Sequence, residues 1–148
     1  MPPAVTAATP LPSLPGLDAA ALAEALRSYA AIDGAWVFGS AAQGRMRPDS
    51  DVDLGVLFRD DAARARYLAD PLLLLGALCI AAGRAVHLID VATAPIALRL
   101  QIARHGVAVI DDDPGRTRRW RVDTLVAWCD FEPAWRHALG ERAQRRAR

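Results

Sequence analysis

Residues 37–58 read VFGSAAQGRMRPDSDVDLGVLF, two apolar runs around a polar loop. The run at 35–38 predicts a short strand. Residues 39–44 are small and predict a turn that opens a short helix, and Pro48 marks a polar loop over 47–50. Residues 51–58 alternate, with Val52, Leu54, Val56 and Phe58 on one side and Asp51, Asp53, Gly55 and Leu57 on the other. The i, i+2 spacing therefore puts the carboxylates of Asp51 and Asp53 on one face. Two acids side by side repel unless something positive joins them, and Mg²⁺ takes oxygen ligands of this kind. Gly39 lets a phosphate approach the backbone, and the helix start behind it offers unpaired N–H groups. The Ser40 hydroxyl can donate one more hydrogen bond to a phosphate oxygen. Either half alone is a common pattern. G-S-x10-D-x-D with a strand under each half points to metal-assisted phosphoryl or nucleotidyl transfer.

The flanking sequence supplies the rest of a sheet. Residues 17–31 predict a helix capped by Asp18, with Leu22, Ala23, Leu26 and Tyr29 at helical spacing, and Gly34 ends that unit. Residues 60–82 read as mostly helical with a break near Pro71. The stretch 71–83, PLLLLGALCIAAG, rises about 20 Å as a helix, short of a bilayer core of about 30 Å, and is expected to be a buried helix. A strand over 84–91, a helix over 94–104 with Pro95 in its first turn, a strand over 107–110 and a turn over 111–114 follow. A long helix is predicted from about 115. This alternation implies an α+β (mixed α/β) fold, one mixed sheet flanked by helices. The expected organisation is a loose proline-bearing arm over 1–16, the sheet domain over 17–114, and an Arg- and Trp-rich helical segment over 115–148.

The 148 residues are 53% hydrophobic and 24% charged, a globular rather than disordered composition. All 18 basic residues are arginine, which excludes a lysine nucleophile, a Schiff base and a P-loop lysine. No serine sits in a G-x-S-x-G elbow. Cys79 and Cys129 form no metal motif and no disulfide framework, and are expected as two buried free thiols. The N-terminus lacks a basic n-region, so a cytoplasmic protein with no membrane segment is expected. The net charge of +1 advertises no nucleic-acid binding, but it is unevenly spread. Residues 1–114 hold nine arginines against thirteen acids, and residues 115–148 nine against four. The basic tail is either a solvated helix face or a surface for a partner or for phosphates. Within it Trp128, Phe131 and Trp135 share one helical face, with core packing the favoured reading and a partner surface the alternative.

The segment 37–58 resembles the signature of the DNA polymerase β-like nucleotidyltransferases, and more closely that of the small MNT proteins, the minimal nucleotidyltransferases. Gly39, Ser40, Gly44, Ser50, Asp51, Asp53 and Leu54 carry the likeness. It extends through RAVHLIDVATAPIALRLQIARHGVAVI at 84–110. The resemblance implies a nucleotidyltransferase fold and transfer of AMP from ATP with Mg²⁺, in a two-metal site. It also implies a role as antitoxin to a HEPN-domain toxin, in hetero-oligomeric complex, by adenylylation of a toxin tyrosine. Asp51 and Asp53 take the places of catalytic metal ligands, and Gly39 and Ser40 that of the phosphate cradle. Arg45 and Arg47, in the loop between the motif halves, are candidates to reach the triphosphate. The departure from the family is at V-H-L-I-D, where His87 falls at the position of the third acid. His87 can act as the base for the attacking hydroxyl. Asp90 is the alternative third metal ligand, available only if the strand bends or ends there. The alternatives are an impaired homologue that neutralises its partner by binding alone, and a nucleotidyltransferase acting on a small molecule.

Overall fold

The computed structural model describes residues 11–146. Helix α1 (Ala19–Tyr29) starts at Asp18, whose Oδ1 accepts from the Ala21 N–H at 3.0 Å, and its apolar face buries Leu22, Ala23 and Leu26. Strand β1 (Ile32–Phe38) leads directly into a single helical turn, α2 (Gly39–Ala42). Strand β2 (Val52–Phe58) follows the polar loop. Helices α3 (Asp61–Ala69) and α4 (Pro71–Ala82) meet at 85°, with Pro71 opening α4. Then come β3 (Val86–Asp90), α5 (Ile96–His105), β4 (Val107–Asp111) and the long α6 (Pro114–Arg146).

The four strands lie in the order β3-β2-β1-β4. β1 is antiparallel to both β2 and β4, while β2 and β3 are parallel, so the sheet is mixed as expected. The alternation read from residues 51–58 sorts the core. Val52, Leu54, Val56 and Phe58 pack with α1 and α4 residues on one face. Leu57 packs with Trp36, Phe38, Val91, Ile102 and Trp120 on the other, under α5 and α6. Gly55 belongs to this second face because Val91 and Ile102 come too close for a side chain: a Cβ there would stand 2.9 Å from Val91 Cγ1.

Four expectations need correction. β1 begins at Ile32, not after Gly34, and the register shifts between Ile32 and Gly34. In the sequence Gly34 reads as the end of the preceding helical unit, and the acid at 33 hides the strand's start. In the structure the buried Asp33 carboxylate is held by Arg59 and Arg116, which makes an acid tolerable inside a strand. α4 is only half buried. Leu74, Leu78 and Ala82 face inward, whereas Leu72 and Ile80 are 77% and 85% exposed. The acid run Asp111–Asp113 is not a merely solvated turn. Asp111 accepts from Thr117 Oγ1, Asp112 pairs with Arg27, and Asp113 Oδ1 caps α6 through the Arg116 N–H. Finally, Cys79 is half-buried and Cys129 exposed, and both are free.

Of the expected arm, residues 1–10 lie outside the described residues, while Leu14 is buried in the core. No single helix among the described residues is long and apolar enough to cross a membrane. The first turns of α6 belong to the core. Trp120 stacks on Trp36 with ring centroids 4.8 Å apart, and its Nε1–H donates to the Val91 carbonyl. Replacing Trp120 with alanine empties this stack and should cost about 3–5 kcal/mol in urea denaturation. A loss below about 1 kcal/mol, the size of an ordinary surface substitution, would contradict the packing role assigned to α6.

Candidate active site

The topology gathers the motif residues at one end of the sheet. β2 runs antiparallel to β1, so the start of β2 meets the end of β1: Asp53 pairs with Phe38, next to Gly39. β3 runs parallel to β2, so its start lies at the same end, with His87 paired to Asp53. His87 Nδ1 is 3.4 Å from Asp53 Oδ1. The Asp53 side chain is 34% exposed and that of His87 66%. Both are within reach of a solvent-borne ligand.

Gly39 has φ +68°, a conformation glycine adopts without strain. A Cβ on Gly39 would stand 2.7 Å from Asp53 Oδ2. The first residue of α2 and the Asp53 carboxylate are thus in close approach, which only a glycine permits. Ser40 follows in the first turn of α2, where the leading amides lack intrahelical partners. Asp51 lies just before β2 with its side chain exposed. The residue between the two aspartates, Val52, is buried on the opposite, α1/α4 side of the sheet.

Asp90 is not available to this group. It pairs with Val56, three positions along β2 from Asp53. Its Oδ2 accepts from Arg64 Nε at 2.5 Å, and its Oδ1 from the Ala92 N–H at 3.0 Å. The same hydrogen bond raises the Arg64 guanidinium above its ordinary value. β3 does end at Asp90, but the carboxylate there is held by Arg64 and the Ala92 N–H, three pairs along β2 from Asp53, so the structure does not bring it to Asp53 as a third ligand. Arg45 and Arg47 are exposed in the loop. The Arg45 guanidinium bonds Gln43 Oε1 rather than either aspartate. Arg47 contributes to the loop through its backbone, its N–H donating to Ser50 Oγ at 2.9 Å.

Sequence reasoning missed Arg84, which it placed in the third strand. Arg84 precedes β3, and its Nη1 donates to the carbonyls of Arg47 and Ser50, in the loop before Asp51. Only its place immediately ahead of V-H-L-I-D hinted at this. A cavity of about 480 Å³ lies at the other end of the sheet, near Ile32 and Arg59. Of its three arginines, Arg59 pairs with Asp33 and Arg27 with Asp112, which itself lines the cavity. The Arg27 hydrogen bond holds the Asp112 carboxyl below its usual range.

Among the described residues, no three His, Cys, Asp or Glu side chains are grouped so as to hold a metal ion by themselves. The donor set is two carboxylates with an imidazole alongside. Mg²⁺ is commonly bound by one or two carboxylates and completed by waters and substrate phosphates, whereas imidazole is a poor ligand for it. Asp51 and Asp53 fit that pattern in the number and kind of their donors.

Residues 20–115 match the family model described as Polymerase beta, Nucleotidyltransferase. The fold is similar to that of chains in several solved complexes. A crystal structure of a toxin–antitoxin with AMP-PNP has a chain 23% identical, with 86% of this chain and 99% of that one covered and a TM-score of 0.69. In a structure of tri-AMPylated Shewanella oneidensis HEPN toxin with MNT antitoxin, the match is 20% identical over 85% of this chain and 95% of that one, with a TM-score of 0.64. A toxin–antitoxin MntA-HepT crystal structure gives 21% identity, 85% and 96% coverage and a TM-score of 0.61. Among curated proteins, none matches the sequence.

The two positive-φ glycines of the loop offer a comparison. Gly44 has φ +66° with nothing near its missing Cβ, unlike Gly39. Alanine at either position should cost about 1–2 kcal/mol for the left-handed backbone. Only Gly39→Ala should also turn the Asp53 carboxylate aside and weaken Mn²⁺ binding in a titration with AMP-PNP. Equal Mn²⁺ affinity in both variants would contradict the close approach.

Proposed function

We propose that this chain, which belongs to the polymerase β nucleotidyltransferase family, transfers AMP from ATP to a tyrosine hydroxyl of a HEPN-type toxin partner and so neutralises it in the cytoplasm. The observation that carries the reading is Asp53 placed between Gly39 on one strand neighbour and His87 on the other. Structural likeness to chains of toxin–antitoxin complexes, one of them with an AMPylated toxin, supports the choice of partner and of the transferred group.

The reaction needs one bond made and one broken. The target hydroxyl oxygen attacks the α-phosphorus, the bond to the β-phosphate breaks, and pyrophosphate leaves. Asp51 and Asp53 are the residues that would hold Mg²⁺. The bound ion would offset the phosphate charge and supply Lewis-acid stabilisation. Gly39 and Ser40 seat the phosphates through backbone N–H groups and the Ser40 hydroxyl. His87 stands beside Asp53 on the solvent side, where its imidazole takes the proton of the attacking hydroxyl. Arg45, bonded to Gln43, and Arg47 lie in an exposed loop from which they reach the triphosphate.

Helix α6 is the partner-facing element in this reading. Thr117, Trp120 and Thr124 are buried against the body. The same helical face continues as Trp128, Phe131, Trp135 and Leu139, with Phe131, Trp135 and Leu139 exposed. The rings lie along this face at 5.8 and 5.9 Å spacing. From Cys129 to Arg146 the helix runs on for about 27 Å. The aromatic stripe is therefore not core, and arginine-rich flanks suit an acidic partner surface.

A second reading is favoured by one observation: the position opposite Asp53 holds an imidazole, not a carboxylate. In that reading the chain neutralises its partner by binding alone. Coexpression with a candidate HEPN-type partner, followed by intact-mass measurement of that partner, separates the two. The proposal expects the mass of added AMP with the parent chain and none with Asp53→Asn or Asp51→Asn, with the complex still formed. An unmodified partner in a stable parent complex would favour binding alone. His87→Asp is expected to keep or raise AMP transfer, and a complete loss would show that the imidazole does something a carboxylate cannot. Deleting residues 142–148 should weaken the complex in a salt-dependent way, measured by calorimetry, with nucleotide binding unchanged. Unchanged affinity at low salt would remove the tail from the interface.

A further inference from the structure

We propose that Arg84 is the positioning residue for Asp51, acting as a clamp between the polar loop and the start of β3. This rests on the reading of Asp51 as a cation ligand. Arg84 follows Gly83, the left-handed residue that ends α4 at φ +65°. Its Nη1 donates to the Arg47 carbonyl at 2.9 Å and to the Ser50 carbonyl at 3.3 Å. Those two residues are already bound to each other. The Ser50 N–H donates to the Arg47 carbonyl at 3.1 Å, and the Arg47 N–H to Ser50 Oγ at 2.9 Å. One guanidinium thus fastens a closed turn at both of its ends.

On the other side of Asp51, the Val52 N–H donates to the Ala85 carbonyl at 2.9 Å. Asp51 is the single residue between two anchors, both supplied by the adjacent residues 84 and 85. The Arg84 Nε is buried without a partner, so the base of the guanidinium sits against the protein while the residue as a whole is half-buried. A buried donor left unpaired is costly, and it persists where the rest of the group is held in place. The two carbonyl contacts through Nη1 provide that hold. The consequence lies in the metal step. Mg²⁺ demands near-octahedral geometry, and a carboxylate on a free loop must be ordered each time the ion binds. The clamp removes that ordering cost from Asp51. Because His87 follows Arg84 by three residues, the same stretch of chain fixes the loop carboxylate and delivers the imidazole opposite Asp53.

The test uses the full chain with Mn²⁺ as probe and AMP-PNP, free Mn²⁺ being read by electron paramagnetic resonance. Arg84→Ala is expected to weaken Mn²⁺ binding about tenfold, the usual scale for losing a group that orients a ligand. Metal-free nucleotide binding should stay as in the parent. Amide hydrogen exchange should speed up over residues 48–52 and remain unchanged in α1 and β1. Arg84→Lys, which keeps a donor for the carbonyls, should recover most of the affinity. If the alanine variant does not fold, Arg84→Met keeps the bulk without a donor and gives the same comparison. Mn²⁺ affinity and loop exchange equal to the parent in the alanine or methionine variant, with Asp51→Asn weakened, would overturn the clamp alone. Asp51→Asn binding Mn²⁺ as the parent does would overturn the ligand reading beneath it.

Discussion

Strand β2 carries a carboxylate, Asp53, set beside the Gly39 backbone on one side and the His87 imidazole on the other. Both relations come from main-chain pairing. The antiparallel register with β1 sets Asp53 across from Phe38, so the chain leaves the sheet as Gly39 directly beside the carboxylate. The parallel register with β3 sets His87 across from it. A slip of one residue in either pairing would send Asp53 toward the face packed with Leu22, Leu26 and Leu78. An acid there would be buried without a partner. The core on the α1 side therefore enforces the geometry of the site on the other.

The site's core was legible because its residues lie close in sequence and obey strand alternation. Asp51, Asp53, Gly39 and Ser40 sit within fifteen positions, and the alternation of residues 52–58 orients Asp53 away from the α1 side, while Asp51 lies just ahead of the strand. The helices were legible from periodicity and punctuation, Asp18 at one start and Pro71 at another. What stayed hidden depends on contacts between residues far apart in the chain. Asp33 hid the start of β1 because the arginines that neutralise it, Arg59 and Arg116, come from other elements. Arg84 looked like a strand residue because its partners are loop carbonyls 34 and 37 positions away. Asp90 looked like a spare ligand until Arg64 of α3 was seen to hold it.

Burial misled for a related reason. α4 and α6 are rich in apolar residues, and an apolar helix in a single domain is expected to be covered. Each is covered on one side only. On α4 the outward Leu72, Leu73 and Ile80 are exposed, and on α6 the stripe of Trp120 and Thr124 continues past the body. Exposed apolar surface of this extent on a small domain is the physical mark of an interaction face. Charge is divided along the chain as well, net acidic over residues 1–114 and net basic over 115–148.

The account stands or falls on where a divalent cation sits when nucleotide is bound. Anomalous diffraction at the manganese edge, from crystals of the full chain grown with Mn²⁺ and AMP-PNP, measures that position directly. The expected result is a peak within ligand distance, about 2.1 Å, of carboxylate oxygens of both Asp51 and Asp53, with the phosphates over Gly39 and Ser40 and Asp90 still on Arg64. Nucleotide bound with the manganese peak away from both aspartates would contradict it.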